Sequence, residues 1–171
     1  MSELDLTIRS IEEKDIPVMA QAFAELGWNK PASQYKRYLM EQRYEVRDVY
    51  IAFVEGQFAG YLTICWKSTY GPFREKNIPE IVDFNVLPGF RRMGIGSRLM
   101  DKAENAIARI SPTAGIGVGM TPDYGAAQRL YVLRGYIPDG LGLHWRDHHI
   151  RYNEQVTIDD DVAIYLTKEL K

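Results

Sequence analysis

The sequence predicts a single mixed α/β (α+β) domain over residues 1–171, and three observations lead to that fold class. The 171 residues are enough for one compact core, and 46% hydrophobic with 26% charged residues is ordinary for a globular protein. Strand-like and helix-like periodicities are intermixed along the chain, with no repeat or long linker to divide it. An early hairpin signal argues against an all-parallel sheet.

The first segments read as a strand followed by two helices. Residues 4–9 alternate apolar and polar side chains, which predicts a strand. Asp15 is placed to cap the helix that follows, and Pro17 is tolerated in the first turn of that helix. Ser33 is placed to cap a second helix.

Strand patterns dominate the middle of the chain. Runs at 49–54 and 58–66 flank a short connection that contains Gly56, which is a hairpin signal. Another run, Ile81–Leu87, ends at a Pro-Gly pair. Residues 114–120 alternate glycine with apolar side chains, so we expect a strand with one nearly bare face that another backbone or a ligand can approach.

The second half continues the alternation of helix and strand. Apolar residues recur every four positions from Ile95 to Ile107, so a helix is predicted to open near Gly94–Gly96. A further helix is predicted over 123–134, ended by Gly135 in the left-handed conformation. Two more strands are predicted near 141–146 and 162–168.

A glycine-rich loop joins the strand at 81–87 to the helix after it. Residues 91–97 read Arg-Arg-Met-Gly-Ile-Gly-Ser. Glycine lets the backbone turn several N–H groups toward one anion, and a helix N-terminus adds roughly half a positive charge. Arg91 and Arg92 supply charge-assisted contacts. This pattern predicts a phosphate-binding loop; the alternative is a glycine-rich turn with two solvated arginines.

Two familiar phosphate motifs fit the loop poorly. A P-loop needs Lys and Ser/Thr after its last glycine, whereas Gly94 is followed by Ile95 and Gly96. A dinucleotide fingerprint needs a third glycine where this chain has Leu99. An unrelated nucleotide-phosphate binder is therefore disfavoured.

Two segments resemble the GNAT superfamily of N-acetyltransferases. Arg91-Arg92-Met93-Gly94-Ile95-Gly96 looks like its (Arg/Gln)-x-x-Gly-x-(Gly/Ala) cofactor signature, and Ala127–Tyr136 is similar to its Ala-x-x-Leu-Tyr-x-x-x-Gly-(Phe/Tyr) segment. The resemblance implies a GNAT-like, mixed, V-shaped, seven-stranded sheet flanked by about four helices. Its fourth and fifth strands, here about 81–87 and 114–120, would splay apart to admit the pantetheine arm.

The resemblance also implies a reaction. Acetyl-CoA would be the cosubstrate, without a metal, and a primary amine of a small metabolite, a peptide or a protein would attack it directly in a ternary complex. Tyr124 departs from the family, which often has a cofactor-contacting Asn at that position. The residues implied to contact the cofactor are Val86, Leu87, Arg91, Arg92, Met93, Gly94, Ile95, Gly96 and Ser97.

Three side chains are candidates for acid–base chemistry. An alkylamine has a pKa near 10.4, so it must lose a proton before it attacks. Glu80 occupies the place where several family members have a general-base glutamate. Asp83 is the rival base, on the opposite face of an ideal strand unless a bulge intervenes. Tyr131 sits where relatives place the acid that protonates the leaving thiolate. The alternatives are that Glu80 is a solvated acid at the end of the strand and that Tyr131 has only a packing role.

Other features bound the function. A net charge of −2 gives no global electrostatic attraction to nucleic acid. No apolar run suits a membrane span, no leader pattern is seen, and the lone Cys65 fits a reducing cytosol, so a cytoplasmic location is predicted. His144, His148 and His149 have spacing too weak to indicate a metal site. A homodimer stays open, and the functional alternative is a catalytically silent acyl-CoA-binding regulatory module.

Overall fold

The structure, a computed structural model, describes residues 5–170 and divides them into two compact units. One unit comprises the described residues through Trp66 together with Ile81–Ala106. The other comprises Lys67–Glu80 and the described residues from Ile107 onward. The organisation of residues 1–171 as one domain stays a prediction.

The described residues form five α-helices and nine strand segments. The helices are α1 (Ile16–Glu25), α2 (Ala32–Arg43), α3 (Gly71–Glu75), α4 (Ile95–Ala108) and α5 (Gly125–Leu133). The strands are β1 (Leu6–Ser10), β2 (Arg47–Val54), β3 (Gln57–Cys65), β4 (Glu80–Val86), β5 (Thr113–Gly119), β6 (Ile137–Pro138), β7 (His144–Trp145), β8 (His148–His149) and β9 (Val162–Glu169). Within the described part of the chain, no helix is both long and apolar enough to cross a membrane.

The first unit is built on an antiparallel hairpin. β1 pairs with β2, β2 pairs with β3, and β4 lies beside β3. The hairpin closes between Val54 and Gln57, where Glu55 (φ 49°) and Gly56 (φ 78°) both have left-handed backbone. Two left-handed residues match the right-handed twist of the flanking strands, so the predicted hairpin is confirmed.

The first two helices of this unit begin without the predicted capping side chains. The carboxylate of Asp15 accepts the N–H of Glu12 at 2.7 Å and both ends of the Arg9 guanidinium, rather than a backbone N–H of α1. Pro31 precedes α2, so Ser33 lies inside the helix and is not its cap. Pro31 has extended backbone (φ −73°, ψ 158°) ahead of the first turn, and α2 starts there without a capping side chain.

The buried faces of the helices agree with the predicted periodicity. Ile95, Leu99, Ala103 and Ile107 are all buried along α4. In the first unit, α1 and α2 contribute to a core that also holds side chains of β2 and β3. The apolar spacing therefore predicted the buried face of α4.

In the second unit, β9 is the central strand. It pairs antiparallel with β5 from Thr113–Glu169 to Gly119–Ala163, and it also pairs with the short strands β6 and β7. The strand predicted near 141–146 is wrong for its first residues, because Gly140 (φ 84°) and Gly142 (φ 76°) interrupt the extended backbone before His144. The count of nine segments rather than seven comes partly from these two-residue strands.

The glycine face of β5 is covered by aromatic rings of the same unit. A Cβ added at Gly115 would lie 2.3 Å from the Phe73 ring, far closer than real Cβ contacts allow. The other two β5 glycines face rings in the same way, Gly117 against Tyr165 and Gly119 against Tyr124. The expectation of room for another backbone or a ligand is therefore wrong for this face, because side chains fill it.

We expect Gly115→Ala to lower the free energy of unfolding by about 1–3 kcal/mol, because the buried Phe73 ring cannot move away from a new methyl group. Urea denaturation measures the change. Gly125→Ala is the matched control: its Cβ meets nothing within 4 Å, so stability should stay level or rise slightly. Equal stability of the two variants would contradict the packing argument.

Candidate active site

The glycine-rich loop lies between β4 and α4 in the first unit. Arg92 (φ 60°) and Gly94 (φ 78°) have left-handed backbone, and α4 begins at Ile95. The N–H of Arg98 donates to the Gly94 carbonyl oxygen at 3.1 Å, which closes the first turn. The N–H groups in the first turn of a helix, such as that of Gly96, have no acceptor within the helix. They can therefore donate to acceptors outside it. Where left-handed residues lie beside such amides, the backbone can form a concave surface that suits an anion.

The loop side chains divide into exposed and buried ones. Residues 91–94 are exposed, whereas Ile95 is buried and fixes the start of α4 against the core. The Nε of Arg91 donates to the carbonyl oxygen of Val86 at 3.2 Å. The seven predicted loop residues thus form one continuous segment, which Arg91 ties back to the end of β4.

The end of β4 lies unusually close to β3. A Cβ added at Gly60 would be 2.5 Å from the carbonyl oxygen of Asn85, so only glycine fits there. The N–H of Leu87 donates to the carbonyl oxygen of Ala59 at 2.8 Å. Val86 and Leu87 are both implied cofactor contacts, and of these two the N–H of Leu87 already has an acceptor in the sheet.

Asp83 interrupts the regular pleat of β4. Its φ of 55° is uncommon for a residue with a side chain. The carbonyl oxygen of the preceding residue, Val82, accepts a hydrogen bond from the Thr63 hydroxyl at 2.7 Å. The local geometry resembles the bulge that would change the face on which a side chain lies.

The Asp83 carboxylate receives five donors from the first unit. It is largely buried, with 15% of the side chain exposed. The donors are Lys30 at 2.6 Å, Asn85 at 2.9 Å, Gln34 at 3.0 Å, Tyr38 at 3.0 Å, and the hydroxyl of Tyr61. A buried carboxylate needs such compensation for lost hydration, so this cluster satisfies a strong physical requirement.

The electrostatics of Asp83 make it a weak base. Burial opposes ionisation, but the charge and hydrogen bond of Lys30, with the hydroxyls of Tyr61 and Tyr38, outweigh it and hold the pKa of Asp83 below its usual value. Burial, and then the Asp83 charge, raise the pKa of Tyr38 to about 12, so that phenol stays protonated. These contacts favour Glu80 over Asp83 as the proton acceptor.

Glu80 lies in the second unit and is buried, with 7% of its surface exposed. The Ser68 hydroxyl donates to its carboxylate, and the Ser68 oxygen in turn accepts the N–H of Tyr70 at 3.0 Å. The alternative of a solvated acid at the strand end is therefore wrong. Glu80 has a fixed environment, which a general base requires.

The sequence reasoning missed a cluster around Tyr70. The Tyr70 hydroxyl donates to Asp139 at 2.7 Å and lies 3.0 Å from Nε2 of His149. The ring of Tyr165 stacks on Tyr70 with centroids 3.6 Å apart, and buried His144 packs edge-on at 5.0 Å. Burial, followed by Asp139, raises the pKa of Tyr70. These residues come from distant segments, so no local pattern in the sequence indicated the cluster; in the structure the pairing of β7 with β8 places His144 opposite His149.

The three histidines have different partners. His148 contacts Asp147 at 3.1 Å and Glu154 at 2.5 Å, and these carboxylates, Glu154 first, raise its pKa. Burial, and then His149, lower the pKa of His144. Over residues 5–170, no group of three or more His, Cys, Asp or Glu residues could hold a metal ion.

Tyr131 is positioned by the C-terminal cap of α5. The N–H of Tyr136 donates to the Tyr131 carbonyl oxygen at 3.0 Å, and the N–H of Gly135 donates to that of Val132 at 3.0 Å. With Gly135 at φ 91°, this is a Schellman motif, and the predicted left-handed stop is confirmed. The rings of Tyr131 and Tyr136 lie 6.1 Å apart, the side-chain contact that usually accompanies the motif. Tyr131 is 5% exposed, and burial raises its pKa.

Tyr124 occupies the position of the family's frequent Asn. Its ring covers Gly119, and its hydroxyl donates to Asp160 at 3.0 Å. The ring is thus part of the packing of the second unit, and it offers no side-chain amide.

A sequence model of the Acetyltransferase (GNAT) family matches residues 16–136 of this chain. That segment contains both the loop and the Tyr131 cap. The chain belongs to the GNAT family. The resemblance predicted from the two motifs is therefore confirmed.

Similarity to individual proteins agrees with GNAT membership. An uncharacterized N-acetyltransferase from Archaeoglobus fulgidus is 38% identical over 74 residues, which cover 43% of this chain and 50% of that protein. The match thus spans half the length of that relative.

Solved GNAT structures show the same fold. A GNAT-family protein from Desulfovibrio desulfuricans has a TM-score of 0.71 at 15% identity, over 97% of this chain and 99% of the other. A Salmonella typhimurium protein, solved with its cofactor acetyl-CoA, has a TM-score of 0.68 at 15% identity, over 97% and 94% of the two chains. The predicted mixed α+β GNAT-like fold is confirmed by these matches; the splaying of its fourth and fifth strands stays a prediction.

The GNAT segment Ala127–Tyr136 now has a physical explanation. Its glycine is the left-handed residue of the Schellman motif, and its two aromatic positions are the pair in contact across that motif. The spacing of Tyr131, Gly135 and Tyr136 is therefore required by helix capping, whatever further role the Tyr131 hydroxyl has.

We expect Asp83→Asn to lower the free energy of unfolding at pH 7 by about 3 kcal/mol, because it leaves the Lys30 charge without its buried partner. The folded-state pKa of Asp83 is lowered, so the ionised carboxylate stabilises the protein above the unfolded-state pKa, and this contribution is lost as pH falls through the folded-state pKa. The difference between wild type and variant should therefore shrink below about pH 4.

Urea denaturation between pH 7 and pH 3 measures this difference. Asp5→Asn, which removes an exposed carboxylate from the same unit, is the control and should show little difference at either pH. A gap between wild type and Asp83→Asn that stays constant over this range would contradict the assignment.

Proposed function

We propose that this protein is an N-acetyltransferase that moves an acetyl group from acetyl-CoA to a primary amine by direct attack in a ternary complex. The observation that carries the proposal is the loop at residues 91–97, where an exposed segment with left-handed backbone leads directly into the start of α4. Family membership supports the reaction class. The acceptor, we propose, is a small-molecule, peptide or protein amine.

The residues of the loop fit a pyrophosphate group. Backbone amides at the start of α4, with Arg91 and Arg92 beside them, form a cationic, exposed segment with the donors that two linked phosphates require. The cofactor would be held by Val86, Leu87, Arg91, Arg92, Met93, Gly94, Ile95, Gly96 and Ser97. When bound, acetyl-CoA would supply the acetyl group as an activated thioester.

The chain must provide a proton acceptor for the incoming ammonium. Glu80 is the proposed base, acting directly or through water, because it is buried and held by Ser68. Loss of the proton leaves the nitrogen lone pair free to form the new C–N bond.

The chain must also provide donors for the charge that develops. We propose the Val86 amide for the oxyanion, since the Leu87 N–H already bonds Ala59. The Tyr131 hydroxyl would protonate the thiolate that leaves when the C–S bond breaks; its raised pKa keeps the phenol protonated at neutral pH. A cytoplasmic location and action as a single domain complete the proposal.

A thiol-release assay tests the proposed function. Purified protein is incubated with acetyl-CoA and a panel of amino acids, aminoglycosides, polyamines and peptide amines, and free thiol and acetylated product are both measured. Release that depends on an amine supports the transferase. Binding of CoA without turnover on any amine would instead support the silent acyl-CoA-binding module.

We expect Arg91→Ala to weaken CoA binding about tenfold, equivalent to about 1.4 kcal/mol, because it removes a charged donor from the pyrophosphate loop. Isothermal titration calorimetry at fixed ionic strength measures the affinity. Arg109→Ala removes an equally exposed arginine outside the loop and serves as the control. Equal CoA affinities of the two variants would contradict the proposal that Arg91 contacts the cofactor.

We expect Tyr131→Phe to lower turnover by roughly 100-fold while CoA affinity stays within about twofold, because only the acid's hydroxyl is lost. Steady-state kinetics and calorimetry separate the two effects. Tyr136→Phe removes the hydroxyl of the neighbouring ring and should leave turnover near wild type. Unchanged turnover of Tyr131→Phe, with the chemical step rate-limiting, would rule out the assignment.

A further inference from the structure

The ammonium group of Lys30 lies in a site built for a cation. Its Nζ is 2.6 Å from Oδ1 of Asp83 and 3.2 Å from the Tyr61 hydroxyl oxygen. The same nitrogen lies 5.8 Å from the centre of the Phe23 ring and 5.7 Å from that of Tyr61. A carboxylate with aromatic faces around it is an arrangement that recognises ammonium ions.

The site is held in shape by groups other than Lys30. Gln34, Tyr38 and Asn85 donate to the Asp83 carboxylate and fix its orientation. Phe23 and Tyr61 are fully buried. The cation site would therefore keep its geometry if the lysine side chain moved away.

Lys30 reaches this site from the wall of an open cleft. The cleft has a volume of about 380 Å³ and is lined by α1 and the connection to α2, including Trp28, Asn29, Lys30 and Pro31. The Lys30 side chain is 19% exposed, and Asp83 lies behind it. Outward rotation of the lysine would vacate the path of its side chain, a channel as long as a butyl chain that ends at the Asp83 carboxylate.

We propose that this channel is a binding subsite for a linear primary alkylammonium group, and that Lys30 occupies it when no such ligand is present. Its role rests on the proposed acetyl transfer: the acceptor carries two amines, and the subsite anchors, as an ammonium ion, the one that does not react. Asp83 stabilises the charged form of any amine beside it, so the amine held there is no nucleophile. The reacting amine is the second one.

The position of Asp83 in β4 suits such an anchor. Val86, the proposed oxyanion donor, follows three residues later in the same strand and the same unit. Three residues of strand span roughly 10 Å, a distance that a linear diamine with a chain of about seven carbons covers. Recognition of one end would thus orient the other end along β4.

Lys30 competes with the ligand because it is tethered beside the subsite. A tethered group acts at an effective concentration on the order of millimolar or higher. Removal of its side chain should therefore strengthen ligand binding, which is the opposite of what loss of a purely structural ion pair would do.

Calorimetry with n-butylammonium tests the subsite in three proteins: wild type, Lys30→Ala, and the double variant Lys30→Ala/Asp83→Asn. We expect Lys30→Ala to bind at least tenfold more tightly than wild type, and the double variant to lose that gain because it keeps the cavity without the charge. Neutral 1-butanol, of the same length, should show no such gain. Equal binding to the single and double variants would overturn the proposal.

An experiment on the wild-type protein covers the case in which Lys30→Ala fails to fold. The side-chain ammonium of Lys30 is followed by NMR in protein labelled with ¹⁵N-lysine, with Lys30→Arg used to assign the signal. Displacement by 1,7-diaminoheptane should shift it, whereas the neutral 1,7-heptanediol, of the same length, should not. No shift at saturating diamine would overturn the proposal.

Kinetics separates this inference from the proposed function. If acetyl transfer occurs, 1,7-diaminoheptane should exceed n-heptylamine in kcat/KM at least tenfold, and Asp83→Asn should abolish the difference. Transfer without any preference for the diamine would overturn the anchoring role. If the diamine binds but no amine is acetylated, the binding subsite still stands. The same result would refute both its anchoring role and the proposed transferase activity.

Discussion

The first unit depends on how the buried charge of Asp83 is compensated. An uncompensated carboxylate in a protein interior is costly, and here the compensation comes from four structural elements. Lys30 comes from the connection after α1, Gln34 and Tyr38 from α2, Tyr61 from β3 and Asn85 from β4 itself. One side chain therefore links α2 and the connection before it to β3 and β4.

This compensation also explains a strained backbone. A left-handed residue with a side chain costs about 1–3 kcal/mol unless its surroundings determine its conformation. Asp83 meets that condition because five donors hold its carboxylate, while Thr63 satisfies the carbonyl group just before it. The strand then continues to Val86 and Leu87 with a backbone direction set by the carboxylate. The electrostatics of the interior and the geometry of the loop that follows are thus connected through β4.

Local patterns in the sequence predicted much of the fold. Apolar spacing identified the buried face of α4, and Gly56 and Gly135 marked a hairpin and a helix end that the structure confirms. The loop at 91–97 was recognisable because glycine spacing is itself a local property. Ser33 misled the prediction because Pro31, two residues earlier, already sets the start of α2.

Contacts between distant segments escaped the sequence reasoning. Nothing in the local pattern connects Tyr70 with Asp139 or Asp83 with Lys30, which lie 69 and 53 residues apart. The buried state of Glu80 depends on Ser68, which precedes β4 by a loop and a short helix. Such clusters follow from tertiary packing, so only the folded chain distinguishes a solvated acid from a held one.

The rings that cover β5 have a consequence for the evolution of this protein. At each of the three glycines of β5, an aromatic ring occupies the space where a side chain would lie. One of these rings, Tyr165, is itself stacked on Tyr70. A side chain added on the strand would therefore need a smaller group opposite it. In homologous proteins, each glycine and the aromatic residue that covers it should therefore be substituted together, and neither should be substituted without the other.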